Sequence, residues 1–294
     1  MTMPSPDTTA ADPAEWRSYD EFAAGIDTFR LPDVSLAGVE LALTLDDGTV
    51  IALAFSEETV RWSATAAASA LGNASDAGNA GDAGESSVSD AISTDGELVD
   101  PYDAVRVRED VVFVHLPLES REREALSIVY SDTTHRALVT RSLIGPEGSG
   151  AEPRVGQRFW SAMTGAGSPT GEVPAPSRDL IGKRNLYRYS PFHLYEHVYM
   201  SSERYAWQCV QGVQRGHGDT DLSTVWKFAD GLYLFCFREF RIAVASVWLH
   251  DLGYQLRTTG AFLGIAGDGA AEHSRAGGHI YPIGSVEYPD VQPV

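Results

Sequence analysis

Leu186-Tyr-Arg-Tyr-Ser-Pro-Phe-His-Leu-Tyr-Glu-His-Val-Tyr199 is the stretch whose reading decides the fold. Side chains alternate across a β-strand. His193, Tyr195, His197 and Tyr199 therefore share one face, and Leu194, Glu196, Val198 and Met200 share the other. A strand face of alternating His and Tyr is unusual for a plain core. It offers the donors, acceptors and aromatic walls that a small-molecule pocket needs. The run from Arg204 to Gln211 continues the pattern, with Tyr205, Trp207 and Cys209 on one face and Arg204, Ala206, Gln208 and Val210 on the other. Aromatics at this spacing also suit an ordinary core, and Gln208 and Gln211 need partners if buried.

Working outward, strands are expected at 194–200, 204–211, 222–229, 231–238, 242–250, 253–262 and 278–283. Their turns are Ala229-Asp230-Gly231, His250-Asp251-Leu252-Gly253 and the Gly-rich Gly216-His217-Gly218-Asp219. Upstream, two or three strands fit 39–65 around the hairpin signal Asp46-Asp47-Gly48-Thr49. Further strands fit 104–108, 111–116, 125–130 and 135–144. Many short strands without a helical period predict an all-β chain of two barrel-like halves, the second a meander. A barrel of about eight strands is just wide enough for one small ligand.

Composition divides the chain further. Residues 1–20 read as a disordered tail and 21–148 as the first barrel. Within it, 72–101 is an acidic low-complexity insertion that holds no basic residue and little apolar area to offset ordering entropy. Residues 149–179, rich in Gly, Pro and Ser with a short apolar island at Phe159-Trp160, read as a linker, and 180–294 as the second barrel.

The 294 residues are 43% hydrophobic, enough for a packed core, and carry a net charge of −19. Residues 178–294 hold 12 acidic and 11 basic side chains, so nearly all the excess lies in the first half. Such a surface repels nucleic acid. Only Lys183 and Lys227 among the 22 basic residues are lysines, which suits a high-salt cytoplasm or a GC-rich genome; the first is preferred. No apolar run is long enough to span a membrane, and the first residues lack a secretory signal, so a cytoplasmic location is expected. Cys209 and Cys236 sit in apolar runs as small hydrophobes. Without a C-x-x-C there is no zinc-ribbon or iron–sulfur ligand set. Phosphate-loop, dinucleotide and nucleophile-elbow motifs are absent as well.

His193 and His197 lie about 13 Å apart on a strand at roughly 3.3 Å per residue, so no metal is expected. Lys227 is either a needed cation or part of a solvated strand face. Arg238 and Glu239 are either a rim ion pair or an anion-binding Arg beside an acid–base Glu.

Tyr187-Arg-Tyr-Ser-Pro, Tyr195-Glu-His-Val-Tyr199, Trp207-Gln208-Cys209 and Lys227-Phe-Ala-Asp-Gly-Leu-Tyr-Leu-Phe235 together resemble the C-terminal domain of the MoaF family over roughly residues 180–290. The first half resembles that family's N-terminal domain in length and strand pattern. The resemblance implies two tandem lipocalin- or calycin-like antiparallel barrels and a role in molybdenum cofactor biosynthesis. Tyr187, Tyr189, His193, Tyr195, Glu196, His197, Tyr199, Trp207, Gln208, Lys227, Asp230 and Tyr233 carry the motif, without roles attached.

Three functions compete. The first is a small-molecule-binding barrel for a pterin-like or aromatic ligand, held by His193, Tyr195, Tyr199, Trp207, Gln208, Lys227, Tyr233 and Arg238. The second is a cofactor-independent acid–base enzyme acting on an aromatic acid or amine, with Tyr187, Tyr189, Glu196 and His197 as catalytic groups and Arg188 for anion binding. The third is a non-catalytic interaction protein whose barrels are filled by side chains. No cofactor, nucleic acid or membrane partner is expected, and a homo-oligomer is allowed.

Overall fold

Buried and open positions alternate through Thr59–Thr65, where Val60, Trp62 and Ala64 point inward. Such strands line a barrel whose other face meets water. Other runs are buried at almost every position, including Val111–Pro117 and Val244–Asp251. These are covered on both faces, and they mark where two barrels meet.

The computed structural model describes residues 18–67, 91–148, 153–165 and 167–294. One short helix, α1 (Tyr19–Ala23), precedes the strands. The first nine are β1 (Glu40–Leu45), β2 (Val50–Phe55), β3 (Thr59–Thr65), β4 (Leu98–Pro101), β5 (Asp103–Arg108), β6 (Val111–Pro117), β7 (Glu124–Ser131), β8 (Arg136–Ile144) and β9 (Val155–Thr164). They form one sheet in the order β4-β3-β2-β1-β9-β8-β7-β6-β5. The sheet curls until only the step from β4 to β5 leaves it open. That step is the single residue Tyr102, whose hydroxyl donates to the Ser56 carbonyl at 2.9 Å and accepts from the Leu36 amide at 3.1 Å.

The rest of the chain supplies β10 (Ala175–Pro176), β11 (Lys183–Ser190), β12 (His193–Tyr199), β13 (Arg204–Gln211), β14 (Gly218–Ala229), β15 (Leu232–Arg238), β16 (Val244–Asp251), β17 (Arg257–Ile265) and β18 (Ala271–Ser285). Strands β11 to β18 pair antiparallel with their chain neighbours, and β18 pairs back onto β11. This is a closed eight-stranded up-and-down barrel without a free edge, with β10 added outside on β14.

The structure corrects several boundaries. Val155–Thr164, inside the expected linker, is β9 and joins β8 to β1. Its polar residues hid the inward pair Trp160 and Ala162, both buried. Leu98–Pro101, assigned to the acidic insertion, is β4, and Ile92 before it is buried; residues 68–90 of that insertion lie outside the described residues. Of the expected tail, 1–17 lie outside them too, but Tyr19 and Asp20 are helical. Tyr19, Phe22 and Ile26 join the core of the second barrel, not the first. Lys183–Ser190, ahead of the expected strands of the second half, is β11.

An apolar layer binds the barrels together. Val105, Val107, Val111, Phe113, Val129 and Leu138 meet Phe228, Leu232, Leu234, Cys236, Val247 and Leu249. Phe159 stacks on Trp226 with ring centroids 5.9 Å apart. At one end the β14–β15 and β16–β17 turns touch through Gly231 and Gly253. A Cβ on Gly231, whose φ is 67°, would come within 2.6 Å of the Gly253 Cα. Arg108 of the first barrel donates there to the fully buried Asp251 at 2.8 Å and to the Asp230 carbonyl at 3.1 Å. Asp251 also accepts from the amides of Gly253, Tyr254 and Gln255. Burial alone would raise its pKa, but Arg108 and the turn amides hold it below the ordinary carboxylate value. Asp251→Ala removes the anion and strands the guanidinium, so it should destabilise the protein by about 3 kcal/mol, readable as a lower urea midpoint at neutral pH.

Candidate functional site

The interior of the second barrel is tiled by register. β11 places Tyr187 opposite Tyr195 and Asn185 opposite His197. β13 places Trp207 opposite His197 and Tyr205 opposite Tyr199. Phe235 and Phe237 enter from β15, Trp248 and His250 from β16, and Phe262 from β17. The rings touch throughout: Tyr187 lies 4.4 Å from His197 and 4.9 Å from His250, and Tyr189 stacks on Trp248 at 5.1 Å.

A cavity of about 40 Å³ remains, walled by Tyr189, Tyr195, His197, Tyr205, Trp207, Gln214, Phe237, Glu239, Trp248 and Phe262, and covered by Phe22 and Ile26 from the chain around α1. At roughly 10–15 Å³ per water, it has space for about three waters. Trp226 and Phe228 do not fill it; they face the first barrel.

The polar groups around this space are mostly uncharged. Burial pushes His197 down to about 3, against the weaker pull of Glu196, and its Nδ1 has no partner. Burial holds the Glu239 carboxyl well above its ordinary value, and Asp221 and Asp219 push the same way. Glu239 is 7% exposed, and its carboxyl makes no hydrogen bond or ion pair among the described residues. Asp221 accepts from Trp207 Nε1 at 2.8 Å and from the Phe240 amide at 3.3 Å, and burial raises it to about 6. Tyr195 donates to Gln214 Oε1 at 2.9 Å. The Tyr187 and Tyr199 hydroxyls share a 2.5 Å contact, and burial raises Tyr187 to about 12. Trp248 Nε1 and His250 Nε2 are buried and unpartnered.

The expected residues divide sharply. Tyr189, Tyr195, His197 and Trp207 line the cavity, with Tyr187 and Tyr199 packed in the same aromatic cluster. His193 sits further along β12, its Nδ1 2.8 Å from the Ser190 hydroxyl. Glu196 lies on the opposite face of β12, where Arg184 and Gln208 donate to it. Lys227 faces Asp230 at 3.6 Å and Asp179 and Glu172 at 3.9 Å, and Tyr233 donates to Asp179 at 2.9 Å. Arg238 reaches Thr224 at 3.1 Å and Gln157 of the first barrel at 3.3 Å. Glu196, Gln208, Lys227, Tyr233 and Arg238 thus do not converge on the cavity.

Glu239 is the inward carboxyl instead. It shares parity with Phe235 and Phe237, a signal present in the sequence, while Arg238 points the other way. Phe22, Ile26 and Gln214 had no local signal, since segments outside the expected strands bring them in, whereas Phe237, Trp248 and Phe262 lie on expected strands. Among the described residues, no group of three or more His, Cys, Asp or Glu converges as a metal site, and no helix is long and apolar enough to cross a membrane.

An antiparallel meander closed around an aromatic cavity is an up-and-down barrel of the ligand-enclosing size class. The chain as a whole belongs to the MoaF family: residues 14–145 match the MoaF N-terminal domain and 174–286 the MoaF C-terminal domain. It is 33% identical to "Protein MoaF" of Klebsiella aerogenes over 180 residues, covering 57% of this chain and 67% of that protein. A solved structure from Burkholderia vietnamiensis, described as a candidate beta-lactamase, aligns with 35% of this chain and 95% of its own at 15% identity and a TM-score of 0.31.

A histidine kept neutral in the fold but free to protonate when unfolded makes stability fall as pH drops from its unfolded value near 6.5 toward 3. Between pH 7 and pH 5, His197 should account for about 2 kcal/mol of that loss. The drop in unfolding free energy over this interval should be smaller by that amount in His197→Gln, as measured by urea denaturation at both pH values.

Proposed function

We propose that the second barrel binds a small organic molecule in the cavity beneath α1, in a role related to molybdenum cofactor biosynthesis. The pathway part rests on membership in a family named for it. The binding part rests on one observation: the buried, unpartnered His197 Nδ1 and Trp248 Nε1, and the Glu239 carboxyl, which has no hydrogen bond or ion pair among the described residues, belong to residues lining one partly open cavity. Buried polar groups are ordinarily paired, and a ligand is the natural partner for a set gathered around a cavity. A pterin-like or aromatic ring needs more than about 40 Å³, so Phe22 and Ile26 would withdraw to admit it. They sit on and beside a helix of five residues outside the strand ladder of the barrel, so moving them costs their buried apolar packing and no strand pairing.

A second reading is favoured by the opposed titration of two cavity groups. Burial keeps Glu239 protonated and His197 unprotonated, so a proton donor and a proton acceptor line the same space. This is the arrangement of cofactor-free acid–base chemistry. In this reading Glu239 takes the part first given to Glu196, which is engaged by Arg184.

A thermal-shift screen against pterins, aromatic acids and aromatic amines tests the binding reading. A ligand at a hundredfold excess over its Kd stabilises the fold by about 2.7 kcal/mol, and about 2–4 °C per kcal/mol is usual for chains near this size. A shift of several degrees, lost in His197→Ala, is expected. A folded protein that shifts with none of these classes would leave the reading without support.

A further inference from the structure

The cavity is selective in charge. Among the described residues no Arg or Lys lines it, while one carboxyl, Glu239, does. Glu239 as a residue is 7% exposed, and its carboxyl has neither hydrogen-bond nor ion-pair partner among the described residues. Lining the same space are Tyr205, Phe237, Trp248 and Phe262, aromatic rings of the kind whose faces attract a cation.

The charged and titratable groups facing Glu239 come from several elements. Asp219 and Asp221 on β14 add negative potential. His197 on β12 is neutral, and Tyr195 and Tyr205 on β12 and β13 keep their phenolic protons because burial raises them. The nearby guanidiniums are engaged: Arg241 donates to Asp219 at 3.0 Å, and Arg204 lies over the Phe240 ring at 5.3 Å. An anion placed here would meet carboxyl groups without a countercharge. A neutral molecule would gain only area and hydrogen bonds. A cation would gain a carboxylate and the aromatic faces together.

We infer that the cavity takes a small primary ammonium compound, its nitrogen on Glu239 and its apolar part on the aromatic walls; this rests on the reading of the cavity as a ligand site. The proton balance is simple. The ligand arrives as R–NH3+, the Glu239 carboxyl gives its proton to the buffer, and the complex holds carboxylate against ammonium. Binding therefore releases about one proton, and affinity rises with pH until the free amine itself loses its proton.

Benzylamine, benzyl alcohol and benzoate share one ring and differ in charge, so titration calorimetry with the three separates charge from shape. It would use wild-type protein, Phe22→Ala, which removes from the cavity wall a ring like the one the probe brings, and Glu239→Gln in each background. Benzylamine should bind at least about tenfold more tightly than benzyl alcohol, and benzoate not at all. Glu239→Gln should abolish most of that preference while keeping the binding of benzyl alcohol, which shows the variant is folded. The benzylamine heat should differ between phosphate and Tris buffers in proportion to one released proton. Equal affinity for alcohol and amine, or a preference that survives Glu239→Gln, would overturn the ammonium assignment and leave the cavity a ligand site. No binding of any probe to either wild-type or Phe22→Ala protein would overturn both.

Discussion

The ring of Tyr19 lies flat against the backbone of Gly264 on β17, so close that a Cβ on that glycine would fall 2.2 Å from the ring. This contact seats α1, and with it Phe22 and Ile26 cover part of the cavity of the second barrel. Phe22 packs edge-on against both Tyr19 and Phe262, at 5.4 and 5.6 Å, so the cover is part of the aromatic core it protects. The electrostatics beneath depend on that cover. Burial pushes both His197 and Glu239 toward their neutral forms, because a charge is costly where little water reaches. A barrel open at this end would hydrate both groups and return them toward their ordinary ionisation. The cover is therefore an electrostatic element as much as a steric one.

How much of this the sequence carried depends on how local each signal is. The inward face of β12 could be read from parity alone, because one strand fixes its own alternation, and the same rule puts Tyr205, Trp207 and Cys209 inside from β13. The barrel meander was legible from turn spacing. What failed were elements whose burial is decided elsewhere. β9 is closed by β8 and β1 rather than by its own composition, so Gln157 and Arg158 made it look like a linker. α1 holds only two buried residues, and their partners are some 240 residues away. Family motif positions misled in a different way. Glu196 sits amid pocket residues in sequence, yet parity turns it outward to Arg184, and Glu239, beyond the strong part of the motif, supplies the interior carboxyl.

The two barrels share a winding and differ in what fills them. The first packs Leu43, Ile51, Val60, Trp62, Val112, Val114, Leu116 and Ile128 into a mostly aliphatic core. The second carries many Tyr, Trp and Phe side chains on the inward faces of its strands, with His197 and His250 buried among them. Topology does not choose a function; the fillings do. An aliphatic interior supplies stability and a wall for the shared layer with β15 and β16. Aromatic rings with polar edges cannot satisfy one another completely in so small a space, and the unpartnered Nδ1 of His197 and Nε1 of Trp248 are the residue of that mismatch.

The family name points toward pterin chemistry, and the charge inventory limits which members of that chemistry fit. A phosphorylated pterin needs a cation or a row of free backbone amides near the phosphate. The cations near this barrel have partners outside the cavity, including Arg188, which donates to the Pro191 carbonyl at 3.4 Å and to Gln211 Oε1 at 3.5 Å. Lys227 stands among Asp230, Asp179 and Glu172, Arg238 reaches across to Gln157, and Arg184 is held by Glu196. Moving one inward would break its present contacts and bring a charge into an interior already costly for Glu239. The same cost works in reverse for a positively charged guest, because an ammonium beside Glu239 cancels the unfavourable charge instead of doubling it. In the proposed reading, burial sets the sign of a guest and the covering segment its size.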